Sequence, residues 1–213
     1  MKESTTKEQV LKQIRDALID KSDNPFSDID FESSVYNEFT ESLDITFAEA
    51  FNEVSGNFVY CADDIDFIQN FNQIAINCKW NNLYCIDNDL LKLLKDSKLP
   101  ILSTETDFLQ QKVGITKCEY LIARLGSIMV SSKQMSGRRM NVYPEVHVII
   151  AYVSQLVKDI KHALKLIRNK YDTMPSMISL ITGPSRTADI EKTLVMGAHG
   201  PKEIYVFLID DSI

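Results

Sequence analysis

Apolar and polar positions alternate along this chain in blocks that read as strands and helices in turn. From Leu43 the pattern predicts a helix to about residue 54, a turn at Ser55 and Gly56, a strand over 58–61 and a helix starting near Ala62 and Asp63. A strand candidate follows at 83–86. Asp87 or Asn88 can cap a short helix over 90–95, which ends at Leu99 and Pro100. Residues 146–153 form an unbroken apolar run of buried-strand type. Leu156, Val157, Ile160, Leu164 and Ile167 then predict a helix over about 154–169 that covers the sheet with one face. Residues 177–181 and 204–209 are two more short apolar runs rich in β-formers. Between them Gly183 and Pro184 punctuate the chain, Ser185 or Thr187 can cap a helix, and Asp189 and Glu191 fall in its first turn. This last stretch reads as one βαβ unit with both strands in the sheet. The whole order predicts an α/β fold, a mainly parallel sheet flanked by helices.

The first residues follow a different pattern. Thr5 and Glu8 have capping-box spacing, and Val10, Leu11, Ile14, Ala17 and Leu18 form a helical stripe. Residues 20–30 are polar, and Asn24-Pro25 breaks any helix. The expected organisation is therefore an N-terminal helical arm and linker over 1–30, followed by one α/β domain over 31–213. The arm's stripe either packs on its own body or meets a partner.

Composition narrows the functional classes. With 213 residues, a formal charge of −7 and a pI near 5.0, the chain can bury one large core but lacks the basic surface that nucleic acid requires. The start has no apolar signal core and no run approaches ~20 apolar residues, so a cytoplasmic protein with no membrane association is expected. Cys61, Cys78, Cys85 and Cys118 show no CxxC pair; they read as buried small apolar groups, with no cluster or metal of their own. Asp63, Asp64 and Asp66 read as the acidic start of a helix, not as metal ligands. No GxGxxG fingerprint is present, so no nicotinamide or flavin cofactor is expected.

Candidate chemistry concentrates near the C-terminal end of the sequence. A Gly-Pro-Ser loop at the carboxyl end of a strand can hold an anion on its backbone N–H groups, which makes Gly183, Pro184, Ser185, Arg186 and Thr187 candidate ligand-binding residues. The same residues also suffice for a plain turn and helix cap. His199, set among Gly197, Gly200 and Pro201, can face a cleft and transfer protons as a catalytic residue, or lock its loop to a carbonyl. Arg138 and Arg139 belong on a loop, bridged to acidic surface groups or solvated. His147 reads as a hydrogen-bonded core histidine, and His162 has no visible partner.

These residues also carry a resemblance. Residues 182–191 (TGPSRTADIE), 197–201 (GAHGP) and a closing strand ending at Asp210 resemble the signature of the lactate-utilisation protein C family, the LUD-domain proteins. Pro144, Glu145, Val146 and His147 resemble the family's Pro-x-Val-His pattern. Where the family has Ala-Glu-Thr-Gly-Thr, this chain has Ala123, Arg124, Leu125, Gly126 and Ser127. Gly126 and Ser127 carry over as ligand-binding candidates; Arg124 reverses the charge of the acid and removes its acid–base chemistry. The resemblance implies the fold of phosphosugar isomerases, CoA transferases and 5-formyltetrahydrofolate cyclo-ligase. It also implies a subunit that serves oxidation of L-lactate to pyruvate with the iron–sulphur proteins of a lactate utilisation operon. Arg124 in place of the acid favours a subunit that is non-catalytic alone, and the lack of a cluster motif or dinucleotide fingerprint favours one that carries no cofactor. The alternative is an enzyme or binding protein for a small anionic ligand bearing phosphate, carboxylate or a CoA-like group. Neither reading fixes an oligomeric state.

Overall fold

The structure is a computed structural model that describes residues 5–19, 36–104, 108, 111–187 and 195–212. The described residues fall into two compact units, Met1–Glu38 and Phe39–Ile213. In the first, α1 (Thr6–Ile19) opens on the expected capping box: the Thr5 N–H donates to the Glu8 carboxylate at 2.8 Å, and the Glu8 N–H donates back to Thr5 Oγ1 at 3.4 Å. No residue of α1 is buried, and its apolar stripe of Val10, Leu11, Ile14 and Leu18 is exposed. The Asn24-Pro25 linker lies outside the described residues.

The second unit begins with α2 (Leu43–Glu53), β1 (Asn57–Cys61) and α3 (Asp64–Asn77). Phe47 and Phe51, four apart on α2, stack at 5.3 Å and are fully buried. Asp63 caps α3 by accepting from the Asp66 N–H at 2.7 Å, so this acidic run is a helix start. Then come β2 (Leu83–Tyr84), α4 (Asn88–Leu93) capped by Asp87, β3 (Ile101–Leu102), β4 (Val113–Lys117), β5 (Tyr120–Ile122), β6 (Ser127–Ser131) and β7 (Val146–Tyr152). The chain closes with β8 (Leu156–Val157), α5 (Ile160–Lys170), β9 (Ile178–Ile181), β10 (Arg186–Thr187), β11 (Val195–Met196) and β12 (Glu203–Ile209).

Six strands form an all-parallel sheet in the order β1-β12-β7-β4-β2-β3. One face, carrying Cys61, Val113, Ile115, Val148, Ile150 and Phe207, packs on Phe67, Phe71 and Ala75 of α3 and Leu90 of α4. The other, carrying Ile149, Ala151, Ile204, Val206 and Leu208, packs on α2 and on Leu121, Ile128 and Val130 of a second sheet. That second sheet has the order β8-β5-β6-β9, and Ala163 and Ile167 of α5 cover its far side with Ile122, Met129 and Val157. Helices on one face and a small mixed sheet on the other bury the central strands from both sides, which explains their unbroken apolar runs.

The α/β class with a mainly parallel sheet is as expected, but three local expectations are corrected. Residues 177–181 and 204–209 do not make a βαβ unit: β9 pairs antiparallel with β6 in the second sheet, while β12 lies inside the parallel one. A four-residue apolar run does not name its partner, and β9 shows Leu180 to solvent. Ser185 caps no helix, because the residues after it, Arg186 and Thr187, form β10 and pair antiparallel with β11; a helix capped by Thr187, with Asp189 and Glu191 in its first turn, would lie outside the described residues. The helix expected over 154–169 starts only at Ile160, where Asp159 accepts from the His162 N–H; Leu156 and Val157 pair with β5 instead, and Leu164 is partly exposed. Cys61, Cys85 and Cys118 are buried as expected, but Cys78 is exposed at the end of α3. Burial pushes the thiols of Cys61 and Cys118 up to about 12 and that of Cys85 up to about 11, so all three stay protonated and unreactive.

Candidate functional site

The glycine-containing turns flagged in the sequence meet at the amino edge of the parallel sheet, beside the C-terminal end of α2. Gly126 follows a 3-10 turn at Ala123–Leu125 and adopts φ +55°; a Cβ on it would lie 2.4 Å from the Phe51 nitrogen and 2.5 Å from the Ala50 carbonyl carbon. Only glycine permits that approach of two backbones. Ser127, next along, shares a 2.7 Å hydrogen bond with the Thr182 hydroxyl at the end of β9. Gly183 has φ +79°, and its missing Cβ would fall 2.3 Å from the Val54 carbonyl oxygen. Arg186 Nη2 donates to that same oxygen at 2.7 Å. Val54 is the C-cap residue of α2, so the guanidinium sits at the negative end of the helix dipole and caps an orphan carbonyl.

The second motif joins the first through backbone hydrogen bonds. The Ser185 N–H donates to the Pro201 carbonyl at 2.9 Å, and the Gly197 N–H donates to the Ser185 carbonyl at 2.8 Å. Gly200 packs on Ser185, where an added Cβ would meet the serine Cβ at 3.2 Å. The Lys202 N–H then donates to the Glu145 carbonyl at 2.7 Å, and Lys202 Nζ lies 3.4 Å from Glu145 Oε2 across an exposed ion pair. Tyr143, Glu145, His199, Gly200 and Lys202 thus border an open cleft of about 470 Å³.

The geometry therefore gathers every candidate residue into one patch, but divides it in two. Gly126, Ser127, Gly183 and Pro184 are buried and act on protein neighbours, whereas Thr182, Arg186 and His199 are exposed. The Gly183 loop lies at the carboxyl end of β9 but at the amino edge of the parallel sheet, opposite to the edge that the expected βαβ unit implied. Glu145, Tyr143 and Lys202 were missing from the sequence-derived site; their adjacency to the Pro-x-Val-His and GAHGP stretches was the available signal.

The other flagged residues have separate places. His147 is fully buried, its Nε2 bonded to Thr116 Oγ1 at 2.8 Å and its Nδ1 without a partner; burial lowers its pKa to about 4, so the ring is neutral at physiological pH. Arg124 lies over the Phe39 ring at 4.3 Å, and its N–H donates to the Lys158 carbonyl. Arg139 lies over the Phe108 ring, while Arg138 donates to the Ser176 hydroxyl.

A parallel sheet with a small mixed sheet on one face, tied to α2 by two glycines and an arginine, defines the class; the comparisons name it. The sequence model of the LUD domain matches residues 88–209, more than half of the chain, and the chain belongs to that family. It is 37% identical over 105 residues to lactate utilization protein C of Bacillus subtilis (strain 168), a match covering 48% of this chain and 44% of that protein. It is 34% identical over 119 residues to lactate utilization protein C of Shouchella clausii, covering 55% and 50% of the two chains. The match to YkgG of Escherichia coli (strain K12), an uncharacterized protein, is 33% over 105 residues, covering 48% and 46%. These matches span about half the length of the relatives. A crystal structure of a DUF162 family protein from Deinococcus radiodurans superposes with a TM-score of 0.57 at 13% identity, covering 78% of this chain and 96% of that one, and so shares its fold.

Proposed function

We infer that this chain is a component of a lactate-utilisation system, working in the cytoplasm with iron–sulphur proteins that carry out oxidation of L-lactate to pyruvate, and inactive toward lactate alone. The observation that carries the reading is the LUD-domain match over 88–209 together with relatives named for lactate utilization. What supports a non-catalytic role is the use of the motif residues: Gly126 and Gly183 fit α2 against the turns at the ends of β5 and β9, Arg186 of β10 caps that helix, and Arg124 stands where the family has an acid. Oxidation of lactate needs an electron acceptor, and with four scattered cysteines and no GxGxxG fingerprint in the sequence the reading assigns that acceptor to the partners. The expected outcome is no lactate-dependent dye reduction by the isolated protein and measurable reduction when iron–sulphur proteins encoded beside it are added. An enzyme-like rate from the isolated chain overturns the reading.

A second reading rests on the cleft at His199. Its border of Lys202, Glu145 and loop backbone suits a small phosphate- or carboxylate-bearing ligand, with His199 transferring a proton and the loop over 183–187 holding the His199 loop in place through the Ser185 backbone. Millimolar lactate or sulphate should then raise the melting temperature saturably, and His199→Ala should abolish the rise.

A further inference from the structure

The opposite end of the second sheet carries a cluster of cations that no carboxylate neutralises. Because β6 and β9 run antiparallel, Ser127 and Thr182 close one end of the pair, and the loops after Ser131 and before Ile178 close the other. There the Arg138 guanidinium donates to Ser176 Oγ at 2.7 Å and Lys133 Nζ donates to Thr173 Oγ1 at 3.2 Å. The Ser132 and Ser176 hydroxyls share a 3.0 Å hydrogen bond. Among the described residues, neither cation has a carboxylate within ion-pair distance, in a chain with 30 acidic and 23 basic side chains. Asp172, adjacent to Thr173, is exposed and bonds to neither. Glu119, one layer deeper, is already held by Lys170 at 2.8 Å, Tyr171 at 2.8 Å and Ser131 at 2.6 Å.

The partners of the two serine hydroxyls fix where their protons go. Ser132 Oγ accepts from the Met177 N–H at 3.2 Å, and Ser176 Oγ accepts from Arg138. The two hydroxyls have two protons, one of which bridges them, so the other is free to donate outward; Thr173 Oγ1, accepting from Lys133, has a free proton as well. The cluster therefore offers solvent an ammonium, the unused N–H groups of a guanidinium and two hydroxyl donors. Its floor is built in advance. The Ser132 N–H donates to the Met177 carbonyl at 3.0 Å, Gln134 Oε1 accepts from the Ser131 N–H at 3.0 Å, and the Gly137 N–H donates to the Gln134 carbonyl at 3.0 Å.

We propose that Lys133, Arg138, Thr173 and Ser176 form a binding site for a phosphoryl group. A set made only of donors with two positive charges suits an acceptor with several oxygens and a double negative charge, which phosphate supplies and a monocarboxylate does not. The site is separate from the Gly183 loop and independent of the reading given for it.

The test is titration of the full chain at constant ionic strength, followed by backbone amide NMR. Inorganic phosphate should shift the amides of Ser132, Gly137 and Met177 saturably, with acetate binding about tenfold weaker or less. The double substitution Lys133→Ala and Arg138→Ala should weaken phosphate at least about tenfold with the remaining spectrum intact, while Arg186→Ala leaves these shifts unchanged. Glycerol 3-phosphate distinguishes the source: tighter binding than inorganic phosphate assigns the group to an organic phosphoester, and equal binding assigns it to the free ion. The proposal is overturned if these three amides show no saturable shift, if acetate or chloride binds as well as phosphate, or if the double variant binds undiminished.

Discussion

The two edges of the six-stranded sheet are built differently. At the carboxyl edge, where open parallel sheets ordinarily hold ligands, the acidic groups are occupied with the protein itself. Asp63 caps α3, Asp211 accepts from the Ser154 N–H at 2.9 Å and from its hydroxyl, and Asp210 accepts from the Tyr60 hydroxyl at 2.6 Å and from Ser212. Lys117 lies between Asp87 and Asp89, 2.9 Å from each. The amino edge instead gathers the family's glycine-rich turns, the Arg186 cap and the His199 cleft. The position of a motif along its strand is thus a poor guide to its place in the fold until the partner strand is known.

The largest test of that contrast is Gly126→Ala. Its Cβ would press on the backbone of α2 at a positive φ, so a loss of about 3 kcal/mol or more is expected from chemical denaturation with the slope unchanged. A loss below about 1 kcal/mol would mean that α2 moves away freely, and the amino edge would not be a fixed assembly.

His147, second residue of β7, gives the amino edge an acid sensitivity. Its folded pKa near 4 lies below the ordinary ~6.5, so the unfolded chain binds the extra proton and stability rises with pH. That contribution is fully present above about pH 6.5 and is lost progressively as pH falls toward 4, up to about 3 kcal/mol. His147→Gln should flatten the stability profile between about pH 5 and 6.5, above the range where ordinary carboxylates titrate. An unchanged slope there refutes the assignment.

At the carboxyl edge the effects should be smaller. Asp63→Ala removes a helix cap and should cost about 1 kcal/mol without altering the amino-edge cleft, as read from thermal unfolding. Smallest of all, Asp210→Asn should leave stability nearly unchanged but return the Tyr60 phenol toward its usual range. The hydrogen bond to the carboxylate now holds that pKa up, and phenolate absorbance against pH reads the change.

Legibility in the sequence followed the range of the forces involved. Local signals were read well: the capping box at Thr5 and Glu8, the caps at Asp63 and Asp87, and the apolar runs of β1 and β7 are set within a few residues of themselves. The second sheet was not legible, because β5, β8 and β9 are short, β9 is partly exposed, and the pairing of all four strands depends on residues far along the chain. Gly126 and Gly183 could be marked as special, but their reason, the backbone of Ala50, Phe51 and Val54, lies more than 70 positions away in each case. Arg186 could likewise be flagged as a cation without its partner, since Val54 is 132 residues distant.

The strand order has a consequence for how the chain assembles. β12 is the last of the described strands in sequence, yet it lies inside the sheet, between β1 and β7. Until it inserts, those two strands present open, apolar edges to each other and to any neighbouring chain. The sheet's interior is therefore completed late, by pairings of high sequence separation that slow folding, and an unfinished molecule is most prone to strand exchange or aggregation at that gap.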